Sequence, residues 1–254
     1  MLEMMTAVQH TLIPPGQAEY TTPGTYSWVV PANVTLLSAV CIGGGSAAAW
    51  QGSSFYSGQG GALRWINSIP VTPGETLTVV VSAVPTVTSA YTTSNFIGVP
   101  GGSTTLKRGS TVLLQAQGGL GYGSGATPPV SINGSGGNGG AIYSLATTTN
   151  AVGGSGAGGY YGNGASGPNG TAATDTSAGA SGATNTYAQY RSGNNGGGAS
   201  LYGSNVTGTK YGGGAGITQN TGSGLGSYQN TPGKGACRLM WGSGRSYPTA
   251  AVSV

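Results

Sequence analysis

Gly153-Gly-Ser-Gly-Ala-Gly-Gly-Tyr-Tyr-Gly-Asn-Gly-Ala-Ser-Gly-Pro-Asn-Gly170 sets glycine at every third position in two registers, Gly153, Gly156, Gly159 and Gly162, then Gly164, Gly167 and Gly170. Upstream, Gly134, Gly137 and Gly140 form a third register. A spacing of three is neither the 3.6-residue period of an α-helix nor the two-residue period of a strand. It is the turn of a polyproline-II-type helix, one side of which meets its neighbours so closely that only a hydrogen fits. Such a helix forms no hydrogen bonds within itself, so inside a fold its amides and carbonyls must bond sideways to similar segments. The reading is a layer of polyglycine-II helices over residues 118–233.

Composition supports this. Glycine accounts for 52 of 254 residues, and charged residues for only 5%, against roughly 7% and 25% in average globular chains. Tyr143, Tyr160, Tyr161, Tyr187, Tyr190, Tyr202 and Tyr211 are too many rings for a flexible glycine spacer. Collagen is excluded because no sustained Gly-X-Y run exists and prolines are few.

Outside this segment the pattern is β. In Gly24-Thr-Tyr-Ser-Trp-Val-Val-Pro31, Tyr26, Trp28 and Val30 share one face and Thr25 and Ser27 the other. Further strands are predicted over 34–42, 62–66, 75–82, 103–107 and 111–116, the last two joined through Arg108-Gly109, and a closing strand over 236–241. The prediction is all-β: a jelly-roll-like β-sandwich with a glycine-rich insertion packed as polyglycine-II helices. Its parts are an N-terminal attachment arm (1–19), a sandwich from two pieces (20–117 and 234–248), the glycine layer (118–233) and a C-terminal tail (249–254).

The strand 24–32 running on to Gly43-Gly-Gly45, then Gly60-Gly-Ala-Leu63, Val71-Thr-Pro-Gly-Glu75 and the ending Gly235-Ala-Cys-Arg-Leu-Met-Trp-Gly-Ser-Gly-Arg-Ser-Tyr-Pro248 resemble the glycine-rich domain of bacteriophage tail-fibre and other virion proteins. The ending is similar to those of such proteins in marine and cyanobacterial phages. The resemblance implies a polyglycine-II-bearing β-sandwich on the virion, assembled in the host cytoplasm and often placed at a receptor-facing tip. It also implies a homo-oligomer, a trimer; the N-terminal segment, which the resemblance does not reach, is expected to join it to other virion proteins.

Catalysis has little material here. The chain has one histidine, His10, and four dispersed acids, Glu3, Glu19, Glu75 and Asp175, which supply neither a nucleophile triad nor a carboxylate pair. Metal ligands are not clustered, no cofactor is expected, and Gly154-Ser-Gly-Ala-Gly-Gly159 matches the dinucleotide fingerprint only as any glycine-dense stretch would. The expectation is a protein that is not an enzyme. Arg64, Lys107, Arg108, Arg191, Lys210, Lys234, Arg238 and Arg245 are scattered, which argues against nucleic acid. No run reaches the ~18 apolar residues of a membrane span, and the N-terminus lacks a signal-peptide pattern. Cys41 and Cys237, both on predicted strands, read as buried free thiols.

Binding is what remains. The predicted loops between glycine helices hold Tyr160, Tyr161, Tyr187, Tyr190 and Arg191, a mix of rigid rings, adaptable polar groups and one guanidinium suited to a host glycan or an outer-membrane protein. The expected function is a receptor-binding fibre-tip adhesin; a capsid decoration or other structural virion protein is the alternative. Valine at Gly156 or Gly159 is expected to be costly, and at Ser155 mild.

Overall fold

The computed structural model describes residues 13–52, 54–86, 96–125, 130–142, 144–146, 154–164, 166, 198–199, 201, 211–220, 226–229 and 231–248. Among them there is no helix. The strands are β1 (Gly16–Tyr20), β2 (Gly24–Val29), β3 (Leu36–Ile42), β4 (Ala49–Gln51), β5 (Ser54–Tyr56), β6 (Leu63–Pro70), β7 (Thr76–Val81), β8 (Thr104–Arg108), β9 (Thr111–Ala116), β10 (Ser144–Ala146), β11 (Ile217–Asn220), β12 (Gly226–Gln229) and β13 (Ala236–Trp241).

Two four-stranded antiparallel sheets, β1-β13-β3-β6 and β2-β7-β8-β9, form a sandwich. Its core is the inward alternation of each strand: Trp28 from β2, Leu77 and Val79 from β7, Leu106 and Leu114 from the β8–β9 hairpin, facing Leu37, Ala39, Cys41, Cys237 and Leu239. The final strand lies between the first and third, with Cys237 opposite Cys41. Both cysteines are free and buried, their sulfurs 3.6 Å apart. Residues 16–19, assigned from sequence to an attachment arm, instead belong to the sandwich, because β1 pairs along its whole length with β13. Residues 1–12 and 249–254 lie outside the described residues.

β3 and β13 are buried on both faces, which is why they read as nearly continuous apolar runs. The second face has its own core, in which Val40, Ile42, Leu63, Ala236 and Met240 pack against Ala157, Tyr160, Leu201 and Tyr211 of the glycine-rich part. β6 runs four residues beyond its predicted end. Ser68, with φ +56°, sits where two residues of β6 oppose one of β3, a bulge that lets Ile66 and Ile69 both reach the sandwich core.

Glycine runs leave the ends of these strands, and their backbones bond sideways with a repeat of three. In residues 43–47, Gly43 and Ser46 donate to the carbonyls of Ala62 and Gln59, Gly44 and Ala47 to those of Gly102 and Val99, and Gly45 to that of Gly233. Successive residues thus point to three different neighbours, as three-residue turns require. The same repeat recurs where Gly58 and Gly61 donate to Ala215 and Gly212, where Ser155 and Gly158 donate to Gly58 and Gly61, and where Gly137 and Gly140 donate to Gly159 and Gly156.

The layer is therefore not an insertion confined to 118–233. Runs at 43–48, 57–62 and 98–102, assigned from sequence to the sandwich, take part in the same bonding. Close approach explains the glycines. A Cβ on Gly43 would lie 2.1 Å from the Gln117 carbonyl oxygen, and one on Gly137 1.7 Å from that of Gly162. Two of the predicted positions differ. Gly162 has open space where its Cβ would be, and Gly134 sits at φ +76° after Asn133 at φ +57°, a tight turn rather than a straight run. Gly153, Gly167 and Gly170 lie outside the described residues.

Gly43→Ala and Gly137→Ala should each lose about 2–3 kcal/mol through forced separation of backbones, lowering Tm by roughly 5–10 °C for a chain of this size. Gly162→Ala should stay within about 0.5 kcal/mol of the parent. Thermal unfolding of the three variants checks this, and equal small losses would contradict close packing of the runs.

Candidate ligand-binding surface

Each glycine run of about six residues advances some 3 Å per residue, so it carries the chain on the order of 18 Å away from the sheets. Residues 43–48 connect β3 to β4, and residues 57–62 return from β5 to β6. Residues 117–122 leave β9, and residues 98–102 lead into β8. Their far ends meet in a small distal cap. There β4 and β5 form a hairpin through Gly52 at φ +61°, β10 pairs with β5, and Phe96 bridges to Trp50 by two backbone hydrogen bonds of 2.9 and 3.0 Å.

The cap is aromatic. Phe55 is buried with Ala48 and Ala215, and above this base Trp50 stacks on Phe55 (5.7 Å, 27°) and meets Phe96 edge-on (6.5 Å, 77°). The Trp50 indole N–H donates to Gly52 O at 2.9 Å, which satisfies its polar edge. Tyr56 and Tyr122 lie face to face, centroids 3.4 Å apart and 8° from parallel. The hydrogen bond with Tyr56 raises the Tyr122 phenol above its ordinary range. Ile97 is 52% exposed and Val99 40%. Two large aliphatic side chains left in water beside half-buried rings make a surface suited to a partner.

The sequence-named rings fall elsewhere. Tyr160 is only 5% exposed and stacks on Tyr247 (5.8 Å, 20°), while its carbonyl accepts from the Trp65 indole. It seals the second core against β3, so its ring is a packing element, which corrects its reading as a loop contact. Tyr161 beside it is 59% exposed. Both sit at the sandwich end of the runs, a full run length from the distal cap. Tyr187, Tyr190 and Arg191 lie outside the described residues. Ser155 also differs from expectation: it is fully buried and its hydroxyl donates to Ala141 O at 2.6 Å, so valine there would strand a carbonyl.

Sequence reading did not single out Trp50, Tyr56, Phe96, Ile97 or Tyr122. A signal existed, since Ala47 to Tyr56 is a short apolar stretch held between two glycine runs, and Gly118-Gly-Leu-Gly-Tyr122 ends another.

The rest of the described surface offers no reactive constellation. Arg108 clasps Glu75 with two nitrogens at 2.9 and 3.0 Å, holding that carboxyl below its ordinary range, and Glu19 stands 3.5 Å from the buried Arg238. Hydrogen bonding to Cys237, with burial, pushes the Cys41 thiol well above its usual range, the opposite of what a nucleophile or metal ligand needs. Among the described residues no three His, Cys, Asp or Glu come together. A void between the runs, lined by Gln59, Gln117 and Asn138 among others, measures about 20 Å³, room for one water and no substrate.

Fold and surface together define a class: an all-β sandwich extended by laterally bonded glycine runs that end in an aromatic cap. The chain belongs to the glycine-rich domain family, whose match spans residues 21–246. No curated protein matches the sequence.

Tyr160→Ala should cost about 3 kcal/mol, as loss of a buried aromatic ring does, and Tyr161→Ala no more than about 0.5 kcal/mol. Denaturant titration of both variants measures the difference. Equal stabilities would place the Tyr160 ring outside the core.

Proposed function

We infer that the chain is a non-enzymatic phage virion protein, a receptor-binding adhesin at a fibre tip, and that it meets the host through the distal cap. The observation that carries this reading is the exposure of Ile97 and Val99 beside Trp50 and the Tyr56–Tyr122 stack, at the end of the runs farthest from the sandwich. Rings held by a rigid backbone lattice lose little entropy on binding, which is what an adhesive surface requires. The resemblance to tail-fibre proteins supports the setting, presence on the virion and assembly as a homotrimer, with the N-terminal segment as the part that attaches to other virion proteins.

A second reading, capsid decoration, draws on Val29 and Leu36, which are exposed at the opposite end of the sandwich and would serve contact with a shell. The two readings assign the partner to opposite ends of the molecule.

Tyr122→Ala and Ile97→Ser should keep the parental Tm yet bind bacteria that adsorb the parent chain about thirtyfold more weakly, the loss for a central contact worth about 2 kcal/mol. Tyr161→Ala should bind normally, and host polysaccharide should yield no new reducing ends. Normal adsorption by both cap variants, together with capsid binding lost on Val29→Ser or Leu36→Ser, would replace the adhesin with the decoration protein.

A further inference from the structure

Among the described residues, charge is segregated along the molecule. The sequence has no Asp, Glu, Lys, Arg or His in residues 20–63, 76–106, 109–174 and 211–233. β4, β5, β10, β11, β12, the 96–99 segment and the turn after Tyr122 all fall within those stretches. The described charges, among them Glu19, Arg64, Glu75, Arg108, Arg238 and Arg245, all belong to the sandwich strands or the segments next to them. The described residues of the distal cap offer rings, aliphatic side chains, amides, hydroxyls and backbone, and no charged group.

We propose that the distal cap takes an uncharged glycan, a neutral polysaccharide chain, as its ligand; this rests on the adhesin reading and narrows it. A pyranose presents a C–H face and a rim of hydroxyls. Aromatic rings and Ile97 pack against the face, and an amide such as Gln51, which lies beside Gly123, can both donate to and accept from the rim.

An anionic sugar is disfavoured by the same surface. Phosphate or carboxylate binding uses charge-assisted hydrogen bonds from Arg or Lys, and the described cap has neither. A protein receptor is disfavoured for a related reason. About a quarter of residues in an average protein are charged, and burying such groups against a neutral cap leaves them unpaired at a cost of several kcal/mol. A neutral glycan brings no charge to bury.

The test measures adsorption of the full chain to bacteria that it binds, after mild periodate oxidation of surface sugars or after protease treatment, at about 50 and 500 mM NaCl, a range over which the screening length shortens severalfold. The expected result is binding lost after periodate, retained after protease, and changed less than about twofold by salt, with Tyr122→Ala and Gln51→Ala each at least about tenfold weaker at both salt concentrations. Binding removed by protease and retained after periodate overturns the glycan in favour of a protein receptor and leaves the adhesin intact. Binding that collapses at high salt, or that alginate competes away while dextran and mannan do not, overturns the neutral ligand in favour of an anionic one. A chain that adsorbs to no bacterium tested removes the adhesin reading and this proposal with it.

Discussion

The lateral hydrogen bond between one glycine run and the next is the interaction on which the rest depends. A three-residue-per-turn strand of backbone satisfies none of its own amides, so every donor in residues 43–47 must find a carbonyl on another run. That requires backbones to approach until a single methyl would sit about 2 Å from a neighbouring oxygen. Glycine is costly to order because it loses more conformational freedom than any other residue. The fold offsets that cost collectively, by surrounding each run with several others, and no run could persist alone.

Sandwich and glycine runs are also mutually dependent. Sheet β1-β13-β3-β6 has two apolar faces, and only one meets the other sheet. The second is covered by Tyr160, Leu201, Tyr211 and Ala157, so removing the glycine-rich part would expose Val40, Ile42 and Met240 to water. In return the sheet anchors the runs, because residues 43–48 and 231–235 leave and enter adjacent strands in the middle of that sheet. The buried Arg238 ties the same region together, donating from one face of β13 to Leu201 O and to Gln17. Among the described residues, the sandwich end is charged and packed and the distal end neutral and aromatic.

Much of this was legible in residue spacing. Period-two alternation located β2; β-type runs bounded by turn residues located β7, β8, β9 and β13 nearly to the residue, and period-three glycines located the runs at 137–140 and 156–159. The legible part ended where the signal is tertiary. Tyr160 and Tyr161 are adjacent and identical in type, yet one is buried and the other exposed, and only the position of Tyr247 decides which. The cap escaped notice because its rings come from three distant stretches, Trp50 to Tyr56, Phe96 and Tyr122, that no local pattern joins. Residues 43–48 and 57–62 looked like sandwich loops because each is too short to display a glycine repeat by itself, and their partners lie as far along the chain as Gly233, which bonds to Gly45.

Native-state hydrogen exchange of the backbone amides of Gly44, Gly45, Ser46 and Ala47 tests the central claim most directly. If lateral bonding makes these runs part of the cooperative core, their amides should exchange within about tenfold of the Val40 amide of β3, close to the global unfolding limit. Exchange near free-peptide rates at these four residues, with Val40 still protected, would show that the runs are loosely held loops and contradict the account.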